Sequence, residues 1–309
     1  MEKRPFGRTD MQVSVLGFGS YKMSGKAGGS TVEEVSRLLG QALDAGMNVI
    51  DTAECYGRGE ELIGQAVGHR RSDYYLFTKC GHAAGFDLPD WSPRLLEHNI
   101  ERSLQRLRTD HLDLVQLHSC SWDLLRQGEV IEVLQRARDA GKTRYIGYSG
   151  DRRAALYAVT CGAFDVLQIS VNIADQESID HTIPRARERG MGVIAKRSVA
   201  NASWRTRQEP TDPIDQRYWK RLKVLNYDFL TSDPKAAGSI ALRFTLSVPG
   251  VDVALVGTTN PEHLQQNLAL LTAGPLPKAQ FESIRKRWKA VTWWRQLLPG
   301  SRVGWRGCS

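Results

Sequence analysis

The chain has 309 residues, 41% of them hydrophobic and 25% charged, with 42 basic against 34 acidic side chains. Those proportions are ordinary for a soluble globular protein and exclude a disordered chain, a collagen-like repeat and a disulfide-stapled miniprotein. The net charge of +8 admits an anionic partner, whether nucleic acid, a membrane surface or a phosphorylated small molecule, or simply a well-solvated surface.

The N-terminus, MEKRPFGRTD, carries no apolar run behind its charges and does not read as a signal peptide. No stretch approaches the ~20 apolar residues of a membrane-spanning helix. Residues 6–16 read as a short hairpin. Strand-like apolar runs fall at 13–17, 48–51, 74–79, 112–117, 143–147, 166–171, 192–195 and 253–256, each succeeded by a loop and a helical pattern. Before the first helix, Ser30 and Thr31 precede Glu33 and Glu34 in a capping-box pattern, Val35, Leu38, Leu39, Ala42 and Leu43 come next at helical spacing, and Gly46 ends the run. Ser92-Pro93 opens a second clear helix, with Leu96, Ile100, Leu104 and Leu107 on one face. Asn260-Pro261 opens a third, expected to bury Leu264, Leu268 and Leu271.

Eight strand-helix units predict parallel strands and an α/β architecture, best met in this length by a (β/α)8 TIM barrel with an N-terminal β-hairpin covering the N-terminal end of its strands. The whole chain, 1–309, reads as a single barrel domain. Two segments break the alternation: an insertion at about 197–235 with Trp204 and Trp219, and a tail at about 291–309 with Trp293, Trp294 and Trp305. Each is either a lid segment over a site or a stretch that its tryptophans pack onto the barrel. The five cysteines (Cys55, Cys80, Cys120, Cys161 and Cys308) form no Cys-x-x-Cys pair. They read as free thiols in a reducing cytoplasm rather than a zinc or dithiol site. The histidines show no metal-ligand spacing, so no metal is expected. The arginines are spread over several helices without a nucleic-acid motif, so no nucleic-acid partner is expected either.

In a barrel of this type the active site lies at the C-terminal strand ends. The second strand ends at Asp51 with Tyr56 in the loop behind it, the third at Lys79 and the fourth at His118. Together these side chains suit proton transfer. A free tyrosine titrates near ~10, and a nearby ammonium lowers that value by stabilising the phenolate. Lys79 would supply the charge, Asp51 would hold Lys79 ionised, and His118 would orient a substrate oxygen toward Tyr56.

The segment VIDTAECYGRGEELIGQAV (49–67) resembles the aldo-keto reductase signature around its catalytic Asp and Tyr. LFTKCG (76–81) and HLDLVQLHSC (111–120) resemble that family's lysine and histidine strands, and RYIGYSG (144–150), VLQISVN (166–172) and VGTTNPEHLQQN (256–267) resemble its cofactor segments. The resemblance spans about 6–271. It implies NADPH-linked reduction of a small aldehyde or ketone, with NADH as the other possible cofactor and the reverse oxidation possible. It also leaves open a nucleotide-sensing regulatory or binding subunit, the role of some potassium-channel beta subunits that resemble this family. Oligomeric state is not readable.

The resemblance further assigns Gly19 and Ser20 to the nicotinamide side, and Ser149 and Gln168 to the carboxamide. The Asn that normally accompanies that serine is Gly150 here, and the aromatic residue that commonly stacks on the ring falls at Lys196. Lys196 and Arg197 read either as pyrophosphate contacts or as surface cations. Thr258 and Thr259, at the start of a helix whose N-terminus attracts phosphate, would serve the adenosine phosphate end. The usual 2′-phosphate clamp positions are Gly257 and His263, and Asn267 matches the adenine contact. No G-x-G-x-x-G opens a helix, so a Rossmann site is not expected.

Overall fold

The computed structural model describes residues 1–23 and 29–291. A two-stranded antiparallel hairpin, β1 (Lys3–Pro5) and β2 (Gln12–Ser14), precedes a closed barrel of eight parallel strands. In chain order these are β3 (Leu16–Gly19), β4 (Val49–Asp51), β5 (Tyr75–Cys80), β6 (Leu112–His118), β7 (Thr143–Ser149), β8 (Val166–Ser170), β9 (Gly192–Lys196) and β10 (Val253–Val256). Each pairs with the next, and β10 closes on β3 with Val256 beside Phe18. The expected TIM barrel is therefore the observed fold.

The helices begin where the sequence signals them. At the helix Val32–Asp44 the Thr31 hydroxyl accepts from Glu34 N and the Glu34 carboxylate accepts from Thr31 N, a full capping box. The Ser92 hydroxyl caps the helix Pro93–Leu107, and Asn260 Oδ1 accepts from Glu262 N at 2.8 Å to cap the helix Pro261–Thr272. In that last helix only Leu264 is fully buried; Leu268 and Leu271 pack at the edge of the core.

One expectation is corrected. The run 13–17 is not one strand. Its first half ends the hairpin and its second half starts the barrel, with the bend fixed at Ser14. There Ser14 N donates to Asn48 Oδ1 at 2.7 Å, Asn48 N donates to Ser14 Oγ at 2.9 Å, and Ser14 Oγ donates to Leu16 O at 2.6 Å. The 197–235 insertion is largely helical, holding the helices Pro213–Leu225 and Phe229–Ser232. Tyr218, Leu222 and Leu225 of the first are buried, and Arg221 reaches Asp175 and Glu177 in the segment after β8. Trp204 packs against the core and Trp219 donates to Thr206 O within its own segment. Trp293, Trp294, Trp305 and Cys308 lie outside the described residues.

The barrel interior has two chemistries. Its floor is apolar: Val49, Phe77, Leu114, Val166, Ile194 and Val253 form one cluster with Phe6, Met11 and Val13 of the hairpin, and the Phe6 and Phe77 rings stack at 5.9 Å. Side chains two residues further along a strand share its face. One step up, the same inward rows carry Asp51, Lys79, Gln116, Gln168 and Lys196. The hydrophobic floor thus gives way to a polar layer at the C-terminal rim.

Candidate active site

Strand register brings the polar layer together. Gly19 pairs with Asp51, Lys79 with Gln116, His118 with Ser149, Ser149 with Gln168, and Ser170 with Lys196. Lys79 is 2% exposed, and its Nζ donates to Asp51 Oδ1 at 2.5 Å and to Thr52 O at 2.7 Å. Burying an ammonium is costly unless it is paired and hydrogen-bonded, and these two acceptors meet that need. The same Nζ lies 5.4 Å from the Tyr56 ring centroid, and the Tyr56 ring meets His118 edge-on at 5.6 Å. All four side chains expected at the strand ends therefore form one cluster.

The His118 imidazole is buried, and burial together with the Lys79, His82, Lys196 and Arg197 charges holds it well below its usual range, hence neutral at pH 7. Its Nδ1 lies 3.4 Å from Cys55 Sγ, and its ring meets His82 edge-on at 5.3 Å. His82 is in turn held by Asp90 at 3.1 Å and packed by Trp91. Trp91 therefore reaches the site through His82.

A second line of polar contacts runs from Asp51 across the mouth. Gln168 Nε2 donates to Asp51 Oδ2 at 2.7 Å and Ser149 Oγ donates to Gln168 Oε1 at 2.8 Å. The carboxylate can only accept, which fixes the orientation of the Gln168 amide. Lys196 Nζ lies 3.4 Å from Ser149 Oγ and 3.6 Å from Asp151 Oδ2. Arg197 donates to Ser170 Oγ at 2.7 Å and lies 3.5 Å from the same Asp151 oxygen. Burial alone would raise the Asp151 carboxyl, but Lys196 and Arg197 outweigh it and hold the group well below its usual range. Burial pulls the Lys196 ammonium down to about 8, with Asp151 opposing and Arg197 and Lys79 adding to the fall.

Sequence reasoning missed Asp151 and Gln116. Asp151 lies two residues beyond Ser149 at a strand end, a signal that was present. Gln116 Nε2 stands 3.4 Å from Asp51 Oδ2 and shows its place only once β5 and β6 are paired.

Gly150 has a steric cause. A Cβ there would stand 2.2 Å from the Tyr148 hydroxyl, which is committed to Cys120 O at 2.7 Å. Gly257 stands against β3 in the same way, its Cβ position 2.6 Å from Gly19 O. Ser20 Oγ is fully buried with no hydrogen-bond partner among the described residues. Around the start of the helix Pro261–Thr272, Thr258 is buried and its hydroxyl accepts from Asn260 N, Thr259 and His263 are exposed, and Asn267 is partly buried. Asn260 occupies the Glu262 amide and Pro261 brings none, so this helix end has few donors left for an anion. Among the described residues no cluster of His, Cys, Asp and Glu has the makings of a metal site.

The model of the aldo/keto reductase family matches residues 15–289, and the chain belongs to that family. It is an oxidoreductase, and its relatives include named enzymes. It is 28% identical to L-galactose dehydrogenase of Arabidopsis thaliana over 88% of each chain. It is 26% identical to the NADH-specific methylglyoxal reductase of Escherichia coli, over 88% of this chain and 94% of that one. Among solved structures it resembles the holo form of aldo-keto reductase AKR11C1 from Bacillus halodurans, with a TM-score of 0.76 and 27% identity over 93% of this chain and 96% of that one.

Proposed function

We propose that the chain reduces aldehyde or ketone carbonyls to alcohols with NAD(P)H, Tyr56 acting as general acid. The observation that carries this reading is the Lys79 ammonium, buried, fixed by Asp51 and facing the Tyr56 ring. The donor set fits a nicotinamide dinucleotide. Ser149 and Gln168 form an amide-and-hydroxyl pair of the kind a carboxamide needs, and Ser20 offers a buried hydroxyl without a partner among the described residues. Bound there, the reduced nicotinamide supplies hydride to the carbonyl carbon.

Tyr56 gives its proton to the carbonyl oxygen, and Lys79 stabilises the phenolate left behind. Asp51 keeps Lys79 charged and in place. His118 is neutral, so one ring nitrogen carries a proton and can hydrogen-bond the same substrate oxygen, orienting it toward Tyr56. Gly19 and Ser20 line the nicotinamide side. Lys196 stands beside the carboxamide hydroxyl of Ser149, Arg197 supplies the cation nearest the pyrophosphate, and Gly257, Thr258, Thr259, His263 and Asn267 serve the adenosine end. NADPH is the first choice of cofactor. NADH competes with it because Gly257 and His263 provide no fixed cation for a 2′-phosphate, and one relative is named NADH-specific. Free thiols among the described residues suit a reducing cytoplasm.

Tyr56→Phe is expected to lower the reduction of 4-nitrobenzaldehyde by about 10²-fold or more while still binding NADPH. A variant that turns over at the wild-type rate would sink the assignment. The regulatory-subunit reading predicts instead that wild-type protein with bound NADPH oxidises it no faster when carbonyls are added.

A further inference from the structure

We propose that Lys196 makes the site discriminate between the two redox states of its nicotinamide cofactor, favouring the neutral reduced ring over the cationic oxidised one. The inference rests on the cofactor reading above. Lys196 ends β9 facing the barrel mouth, with its side chain 11% exposed and its Nζ 3.4 Å from Ser149 Oγ. A carboxamide held by that hydroxyl therefore brings its ring close to the same ammonium.

The sign of the effect is set by charge. An aromatic residue at this position would attract a cationic ring through its face; an ammonium repels it. The neighbouring groups do not cancel the repulsion. Asp51 from β4 is matched by Lys79 from β5, His118 from β6 is neutral, and Asp151 behind β7 faces both Lys196 and Arg197. Asp175 also faces Arg197 and Arg217 adds its charge at Asp151, so around Lys196 the cations still outnumber the carboxylates. Both redox states carry the same phosphates and adenosine, so the ratio of their affinities isolates this contact. The contact is also titratable, because the buried ammonium loses its proton near pH 8 and the repulsion goes with it.

The test measures dissociation constants of NADP+ and NADPH by calorimetry for wild type, Lys196→Met and Lys196→Arg, at about pH 6.5 and about pH 9.5. At the lower pH the wild-type Kd ratio of NADP+ to NADPH should exceed that of Lys196→Met by at least about tenfold, the scale of one unit charge ~12 Å away at an effective dielectric constant near 20. At the higher pH the wild-type ratio should fall toward the Met value, whereas Lys196→Arg should keep a high ratio at both. Should Lys196→Met fail to fold, the wild-type pH series set against Lys196→Arg decides alone. Equal ratios in wild type and Lys196→Met, or a wild-type ratio that ignores pH, overturn the inference while leaving the cofactor reading intact. Failure of wild type to bind NADP(H) and, titrated in parallel, NAD(H) overturns both.

Discussion

His118 shows how burial fixes a protonation state. Desolvation comes first and four surrounding titratable groups add to it, so the folded imidazole refuses a proton that the unfolded chain accepts near pH 6.5. Below that pH the unfolded state binds more protons, and stability falls as pH falls. Wild type should therefore lose thermal stability between pH 7 and pH 5, by up to about 1.4 kcal/mol per pH unit from this group. His118→Asn should show a flatter slope in melting curves across the same range; an identical slope would assign the loss to other groups. Asp51, Tyr56, Lys79 and His118 were legible in the sequence because each stands at or just behind a strand end. Asp151 stands behind a strand end too, but its weight shows only through Lys196 and Arg197, two strands away in the barrel and 45 or more residues along the chain.

At the scale of elements, capping chemistry was the most readable signal. Thr31 with Glu34, Ser92 with Pro93 and Asn260 with Pro261 all start helices as their side chains dictate. The strand 13–17 misled because an alternating pattern fixes which face a residue takes but not which sheet it joins; the switch at Ser14 depends on Asn48, 34 residues away. The end of β7 carries a more specific constraint. Gly150 stands where the family places asparagine, and its missing Cβ is the space that the Tyr148 ring and hydroxyl fill. Restoring the amide is therefore expected to cost stability rather than gain a cofactor contact. Gly150→Asn should be destabilised by about 1–3 kcal/mol, the usual range for overpacking, read as a drop in denaturant midpoint. An unchanged midpoint would mean that Tyr148 moves aside freely.

At the scale of the whole molecule, the hairpin is part of the barrel core. Phe6 is fully buried, stacks on Phe77 and fills the space over Gly192, whose Cβ position lies 2.6 Å from the ring. Phe6→Ala should cost about 3–5 kcal/mol, seen as a large fall in melting temperature; a change under about 1 kcal/mol would show that the hairpin merely rests on the barrel. Inside the barrel the polar layer holds few cations: Lys79 is paired with Asp51, and Lys196 and Arg197 share Asp151.

The apolar floor has a consequence for kinetics. With Phe6, Met11 and Val13 packed across one end, the described residues leave the polar layer its approach at the opposite rim. Whatever reaches it must leave by the way it came. Two ligands that shared that rim would bind in order, the deeper one arriving first and departing last, an order that a seal at the far end of the barrel would impose.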